Sequence, residues 1–296
     1  MFSNMSRDSG VLAEIESLDP ETDFQRISFL SATYDFPWDI EQSLSLAFFK
    51  TYGIPSIGAL LDQTAEFRLR PQKRYDDTKL ILAEIFEHGM DSEHGREANR
   101  RLNGMHGRYK ISNDDYLYVL STFVLVPIRW NEKFGWRRST DKERRATLNY
   151  WRALGGRMNI KDIPPDLEEL DRWSRTYEAA NLRYSASSRR VADQTTNLFL
   201  SWYARPLRGL LRLVINSLLE DPLLDAFGYK RPPAWFRWCV ETGLRIRARV
   251  VRVLPRRKQP RLVTQERVRS YPAGYRIDEL GVSMPESTGH VEPSAR

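Results

Sequence analysis

The sequence predicts an all-α protein, a single multi-helix globular domain. Three observations carry that expectation: apolar residues recur at helical spacing along most of the chain, helix caps and stops stand between the periodic stretches, and period-2 alternation of strand-like length is hard to find. Three regions follow, an acidic N-terminal helical region (1–60), a helical core (61–260) and a C-terminal extension (261–296).

The N-terminal region should pack as helices around SLSLAFFKTYGIPSIGALL. Asp76 and Asp77 read as first-turn carboxylates ahead of TKLILAEIFEH, with Leu80, Ala83 and Ile85 as its apolar stripe and Gly89 as its stop. From Glu93 to Lys110, residues Ala98, Leu102, Met105 and Tyr109 fall on one helical face. Ser112 to Asp114 cap DYLYVLSTFVLVPIRW, which Pro127 is expected to kink or end. Thr140 to Glu143 form a capping box opening RRATLNYWRALGG, and Pro164-Pro165 introduce DLEELDRWSRTYEAANLRY. Two or three more helices are expected between residues 187 and 255. From Pro272 the periodicity fades, and the chain end is expected to be extended or disordered.

Composition excludes several classes. Cys239 is the sole cysteine, so there is no internal disulfide, no cysteine-built metal site and no C-x-x-C-H haem attachment. The first residues lack a basic-led apolar run, so no secretory signal is expected. The longest strongly apolar uncharged stretch, Tyr116 to Ile128, is well short of the about 20 residues that span a bilayer. A cytoplasmic or peripherally membrane-associated protein is expected. Residues 1–60 carry 3 basic and 9 acidic side chains, whereas residues 201–296 carry 18 basic and 9 acidic. That asymmetry suits a phosphate-bearing or anionic lipid surface, although a solvated face is the commoner cause. No nucleic-acid-reading motif accompanies the basic run, so no nucleic-acid partner is expected.

No phosphate-binding glycine loop, dinucleotide fingerprint, nucleophile elbow or H-E-x-x-H is present. His88, His94, His106 and His290 are the only histidines, so a multi-histidine metal site is not expected: His88 and His94 flank the turn at Gly89, and His290 sits in the tail. His106 alone falls inside an amphipathic helix. A lone helix histidine is more often a packed or exposed side chain than a ligand.

The surrounding residues change that balance. Met105, His106 and Tyr109 form M-H-x-x-Y; Ile111 to Asp115, Pro127 to Trp130, Trp136-Arg137 and Thr140 to Glu143 follow, and Arg74-x-x-x-Thr78 lies upstream. This pattern, over roughly residues 65–230, resembles the MpaB-like oxygenases, which share a domain with the latex-clearing rubber oxygenases. The resemblance implies a haem pocket between helices, a non-covalent haem b with His106 as axial iron ligand, and Arg74 and Thr78 as active-site residues. It implies dioxygen as co-substrate and oxidative cleavage of a carbon–carbon double bond in a lipophilic, isoprenoid-like small molecule. The second imidazole nitrogen would donate to a carbonyl or carboxylate. Some rubber-cleaving relatives carry lysine immediately before the threonine, where this chain has Asp77. A lysine cap on the iron is therefore absent, and polyisoprene becomes a less expected substrate.

Spacing is compatible with these roles. Arg74 and Thr78 share a helical face, and a hairpin turning near residues 90–91 sets position 74 level with about position 107. Arg129, Trp130, Trp136 and Arg137 fit either haem-propionate contacts or arginine–carboxylate pairs among core aromatics, the latter being commoner. A rival from another class is a non-catalytic helical module on an anionic membrane surface, carried by Arg245, Arg247, Arg249, Arg252, Arg256, Arg257 and Lys258. Residues 235–258 mix that charge with Trp235, Phe236 and Trp238, the composition of an interfacial helix.

Overall fold

Residues at the helix starts explain most of the element boundaries in the computed structural model, which describes residues 10–282. Prolines open α3 (Pro37–Tyr52), α4 (Pro55–Gln63) and α6 (Pro71–His88), where a missing N–H costs no helical hydrogen bond. Ser92, Ser112 and Asp166 accept backbone N–H groups at the starts of α7 (Glu93–His106), α8 (Asn113–Phe134) and α10 (Leu167–Asn181). The Thr140–Glu143 capping box opens α9 (Asp141–Arg157) as its sequence predicts. The other helices are α1 (Gly10–Ser17), α2 (Phe24–Leu30), α5 (Glu66–Leu69), α11 (Ala186–Ser201), α12 (Arg208–Leu218), α13 (Asp221–Phe227) and α14 (Ala234–Val253). Among the described residues there is no strand, only an isolated bridge between Val268 and Tyr271. The all-α expectation holds.

Helix α8 is the central element, with α3, α9, α10 and α14 packed against it. Leu117, Tyr118, Leu120 and Val124 are buried along it, and the buried hydroxyls of Ser121 and Thr122 donate back to Tyr118 O and Val119 O. Helices α6 and α7 form an antiparallel hairpin, α4 packs on α11, and α12 lies against α14 at the periphery.

Three local expectations change and a fourth narrows. Helix α6 begins at Pro71, so Asp76 and Asp77 are buried in its interior rather than in its first turn. Helix α7 stops at His106 instead of continuing to Lys110, because the chain turns at Gly107, where Tyr109 N donates to His106 O at 3.0 Å. Of the two outcomes expected at Pro127, a kink or an end, the end does not occur: helix α8 runs on to Phe134, and burial of Val124, Leu125 and Trp130 outweighs the lost backbone bond. Four α-helices, not two or three, follow residue 185.

The uneven charge is partly internal complementarity. Asp35 pairs with Arg256 at 3.1 Å, Asp39 with Arg247 at 2.8 Å and Glu41 with Arg261 at 3.0 Å, so acidic N-terminal and basic C-terminal segments meet. The extension from 261 to 282 is a non-helical strap, apart from 3₁₀ turns at Val263–Gln265 and Ile277–Glu279, and it lies along α6 and α7. It explains the buried aspartates: Asp76 accepts from Ser270 N and Oγ, and Asp77 accepts from the Tyr271 hydroxyl and from Lys73. The final residues 283–296, including His290, lie outside the described residues. No single described helix is long and apolar enough to cross a membrane; only the pair α3 and α4, bent by 97°, matches by length and composition.

Candidate active-site cavity

Helices α6, α7 and α8, the α4–α5 region and the strap enclose a predominantly apolar cavity of about 310 Å³. That size falls within the roughly 300–1,000 Å³ of ordinary ligand pockets. Arg74, Thr78 and His106 all line it, so the structure brings together the three residues singled out by sequence. Met105 and Tyr109 of the same motif line it too, as do Tyr52, Tyr116 and Phe123 from other helices.

His106 occupies the last position of α7, its ring edge-on to Tyr116 with centroids 5.7 Å apart. Burial, reinforced by the positive charge of Arg74, pushes its pKa down to about 4 from the usual 6.5. The imidazole is therefore neutral at neutral pH, the form that donates a lone pair to a metal. Nδ1 is buried and has no hydrogen-bond partner. The expected carbonyl or carboxylate acceptor is thus not among the described residues, and a buried polar atom of this kind calls for a partner.

Arg74 projects from the first turns of α6. Its guanidinium lies over the Phe67 ring at 5.2 Å and donates to Thr78 Oγ1, which itself donates to Arg74 O at 3.0 Å. No carboxylate among the described residues pairs with Arg74; neighbouring Asp77 is held by Lys73 at 2.8 Å instead. A cation on an apolar wall without a counter-ion favours an anionic group beside it.

The strap closes one side. Gly281 and Val282 line the cavity, and a Cβ on Gly281, whose φ is +83°, would come within 2.0 Å of Met105 Sδ. The positive φ favours glycine here, and any larger residue would also have to displace the Met105 thioether. On the inner side, Phe48, Tyr75, Leu82, Phe123 and Trp151 separate this cavity from a second of about 190 Å³, with Phe123 and Trp151 stacked at 4.9 Å.

Arg129, Trp130, Trp136 and Arg137 do not line the cavity. Arg129 pairs with Asp171, Arg137 with Asp35 and Glu143, Trp130 Nε1 donates to Asp39, and Trp136 Nε1 donates to Asp35 O. They serve packing and charge pairing, the commoner of the two readings. The structure also shows a cluster that the sequence reading leaves apart: His88 and His94 meet across the α6–α7 turn, next to Glu84. The i, i+4 spacing of Glu84 and His88 is the one signal of it in the sequence.

A neutral buried histidine and an unpaired arginine in one apolar chamber between helices define an all-α protein suited to a cofactor or lipophilic ligand. Comparison with known sequences gives the family. The profile of the family described as "ER-bound oxygenase mpaB/B'/Rubber oxygenase, catalytic domain" matches residues 46–253. Relatives include ER-bound oxygenase mpaB' of Penicillium brevicompactum, 33% identical over 69% of this chain and 53% of its own length. ER-bound oxygenase mpaB of the same fungus is 34% identical over 68% of this chain and 56% of its own length. The mpaB of Penicillium roqueforti (strain FM164) is 34% identical over 67% of this chain and 73% of its own length. The chain belongs to this family of oxygenase catalytic domains, and it spans about half the length of the first two relatives.

Proposed function

We propose that the chain is a haem-dependent oxygenase that cleaves a carbon–carbon double bond of a lipophilic, isoprenoid-like substrate with dioxygen. The observation that carries this reading is the buried, partnerless Nδ1 of neutral His106, in the same apolar cavity as the unpaired guanidinium of Arg74. The donor set fits a non-covalent haem b: an imidazole for iron, a cation for a carboxylate and apolar walls for the macrocycle. Bound there, the haem supplies a redox-active iron that activates dioxygen.

The chain's own residues do the rest. His106 anchors the iron and stays unprotonated through burial and the field of Arg74. Arg74 and Thr78 form a preassembled donor pair that steadies negative charge developing beside them. Apolar side chains such as Tyr116 and Phe123 hold the hydrocarbon chain and exclude water. In the overall reaction the alkene carbons take up both atoms of one dioxygen and become two carbonyl carbons. Aerobic incubation with a soluble isoprenoid alkene tests the proposal: dioxygen uptake matched by carbonyl products supports it, and haem-loaded protein that consumes neither rules it out for that substrate class.

A surface feature favours membrane contact as the route of substrate supply. On α14, Trp235, Trp238, Ile246, Val250 and Val253 are all at least half exposed, beside Arg249, Arg257 and Lys258, which make no ion pair among the described residues. Apolar rings among cations suit a lipid interface, where anionic lipid contributes about 1 kcal/mol per nearby Lys or Arg. The relatives' names, which call them ER-bound, point the same way. A protein that floats with anionic vesicles but binds no haem would instead be the non-catalytic surface module.

A further inference from the structure

We propose that Glu84, His88 and His94 form a divalent transition-metal site, separate from the His106 cavity, that fastens the α6–α7 turn and the strap crossing the cavity. Glu84 and His88 lie one helical turn apart on α6, and His94 stands in the first turn of α7. Their ligand atoms all lie within 4.8 Å of one another. Glu84 Oε2 is 3.3 Å from His88 Nε2 and 3.1 Å from His94 Nδ1. Zinc bonds of about 2.0–2.1 Å give a tetrahedron with edges of roughly 3.3 Å, so two of the three ligand–ligand edges already have the required length. The third edge, between the two imidazole nitrogens, lies within 4.8 Å, and both rings that would have to turn to shorten it are exposed.

Charge makes the same case. Glu84 is 5% exposed, and no lysine or arginine among the described residues pairs with it. A buried carboxylate favours a cation beside it, and a divalent ion coordinated by the two imidazoles would supply one. The second carboxylate oxygen, Oε1, is already engaged, accepting from the Tyr275 hydroxyl at 2.6 Å. That contact orients the ligand and leaves Oε2 for metal, as outer-shell partners commonly do. The turn is built to bring the rings together. Gly89 has φ +88°, and a Cβ on Gly95 would lie 2.0 Å from Gly89 O, so neither position accepts a larger residue without opening the turn.

Because Tyr275 belongs to the strap, the ion links three segments: the end of α6, the start of α7 and the segment whose Gly281 and Val282 line the cavity. Two imidazoles and one carboxylate select zinc or a similar first-row ion over calcium or magnesium.

The test is equilibrium dialysis of the full, untagged and chelator-treated chain against Zn²⁺, with Co²⁺ absorption as a probe of tetrahedral coordination. One ion per chain is expected in the wild type and in His106→Ala, and none in His94→Ala or in the His88→Ala/His94→Ala pair. His94 has a 59% exposed side chain, so its removal leaves the fold intact, which circular dichroism checks. Tyr275→Phe should keep the stoichiometry and weaken affinity by about 10- to 100-fold. Zn²⁺ should raise the Tm of the wild type and leave that of the double variant unchanged. A wild type that binds no Zn²⁺ at micromolar concentration, or a double variant that binds it equally well, overturns the proposal.

Discussion

Arg74 and His106 stand on the two helices of one hairpin, line the same cavity, and are coupled through charge: the guanidinium helps keep the imidazole unprotonated. The cation disfavours a second positive charge beside it, and burial of the ring disfavours that charge further. Arg74 thus stands without a carboxylate partner among the described residues, beside a His106 that is neutral at neutral pH.

That coupling sets a pH dependence for the protein without cofactor. An unfolded His106 takes up a proton near its usual 6.5, whereas the folded one resists until about 4. Between those values the unfolded chain binds more protons, so stability falls as pH drops through the window and the loss levels off below it. Urea unfolding at pH 7, 6, 5 and 4 should show a shallower decline for His106→Leu than for the wild type. Equal slopes would place His106 in an environment that does not perturb it.

Arg74 and Thr78 should matter more for turnover than for cofactor retention. Arg74→Ala removes a permanent cation from an apolar wall, and losing one such preorganised donor costs on the order of 10²-fold in rate. Thr78→Val keeps the shape and deletes only the hydroxyl, so the loss should be smaller. The comparison is haem content against dioxygen-dependent alkene cleavage in each purified variant. Unchanged turnover in both at full haem occupancy would leave these residues structural.

Helix α14 is held to the core by a pair whose loss should be costly. Arg247 bonds to Asp39 at 2.8 Å and lies over the Trp38 ring at 3.6 Å, while Asp39 is 1% exposed. Arg247→Ala strands that carboxylate with Trp130 Nε1 at 3.0 Å as its remaining donor. A loss of about 2 kcal/mol is expected, below the ~3–5 kcal/mol for breaking a fully buried pair, because the Arg247 side chain keeps 28% of its exposure. Arg249→Ala, on the solvent side, should stay within about 0.5 kcal/mol. Urea midpoints of the two variants check the contrast.

How far the sequence carries the structure depends on the range of the interaction involved. Arg74, Thr78 and His106 are legible through the resemblance of their motifs to the family, with which the i, i+4 spacing and the hairpin register are merely compatible. The other cavity walls are not: Tyr52, Phe123 and Trp151 occupy apolar positions that look alike whether they pack a core or line a void. Asp76 and Asp77 resemble first-turn carboxylates by local rules. Besides the local partners Gln72 and Lys73, they bond to Ser270 and Tyr271, 194 residues away on a segment without periodicity. The same holds for Glu84, whose i, i+4 relation to His88 is visible, while the arrival of His94 depends on how tightly the chain closes between Gly89 and Gly95.

The central claim is that His106 holds a haem in this cavity, and the absorption spectrum with haem stoichiometry tests it most directly. One haem b per chain and an intense Soret band are predicted for the wild type, both lost in His106→Ala with helical content unchanged. A normal Soret band at full stoichiometry in that variant, or a wild type that takes up no haem, would contradict it.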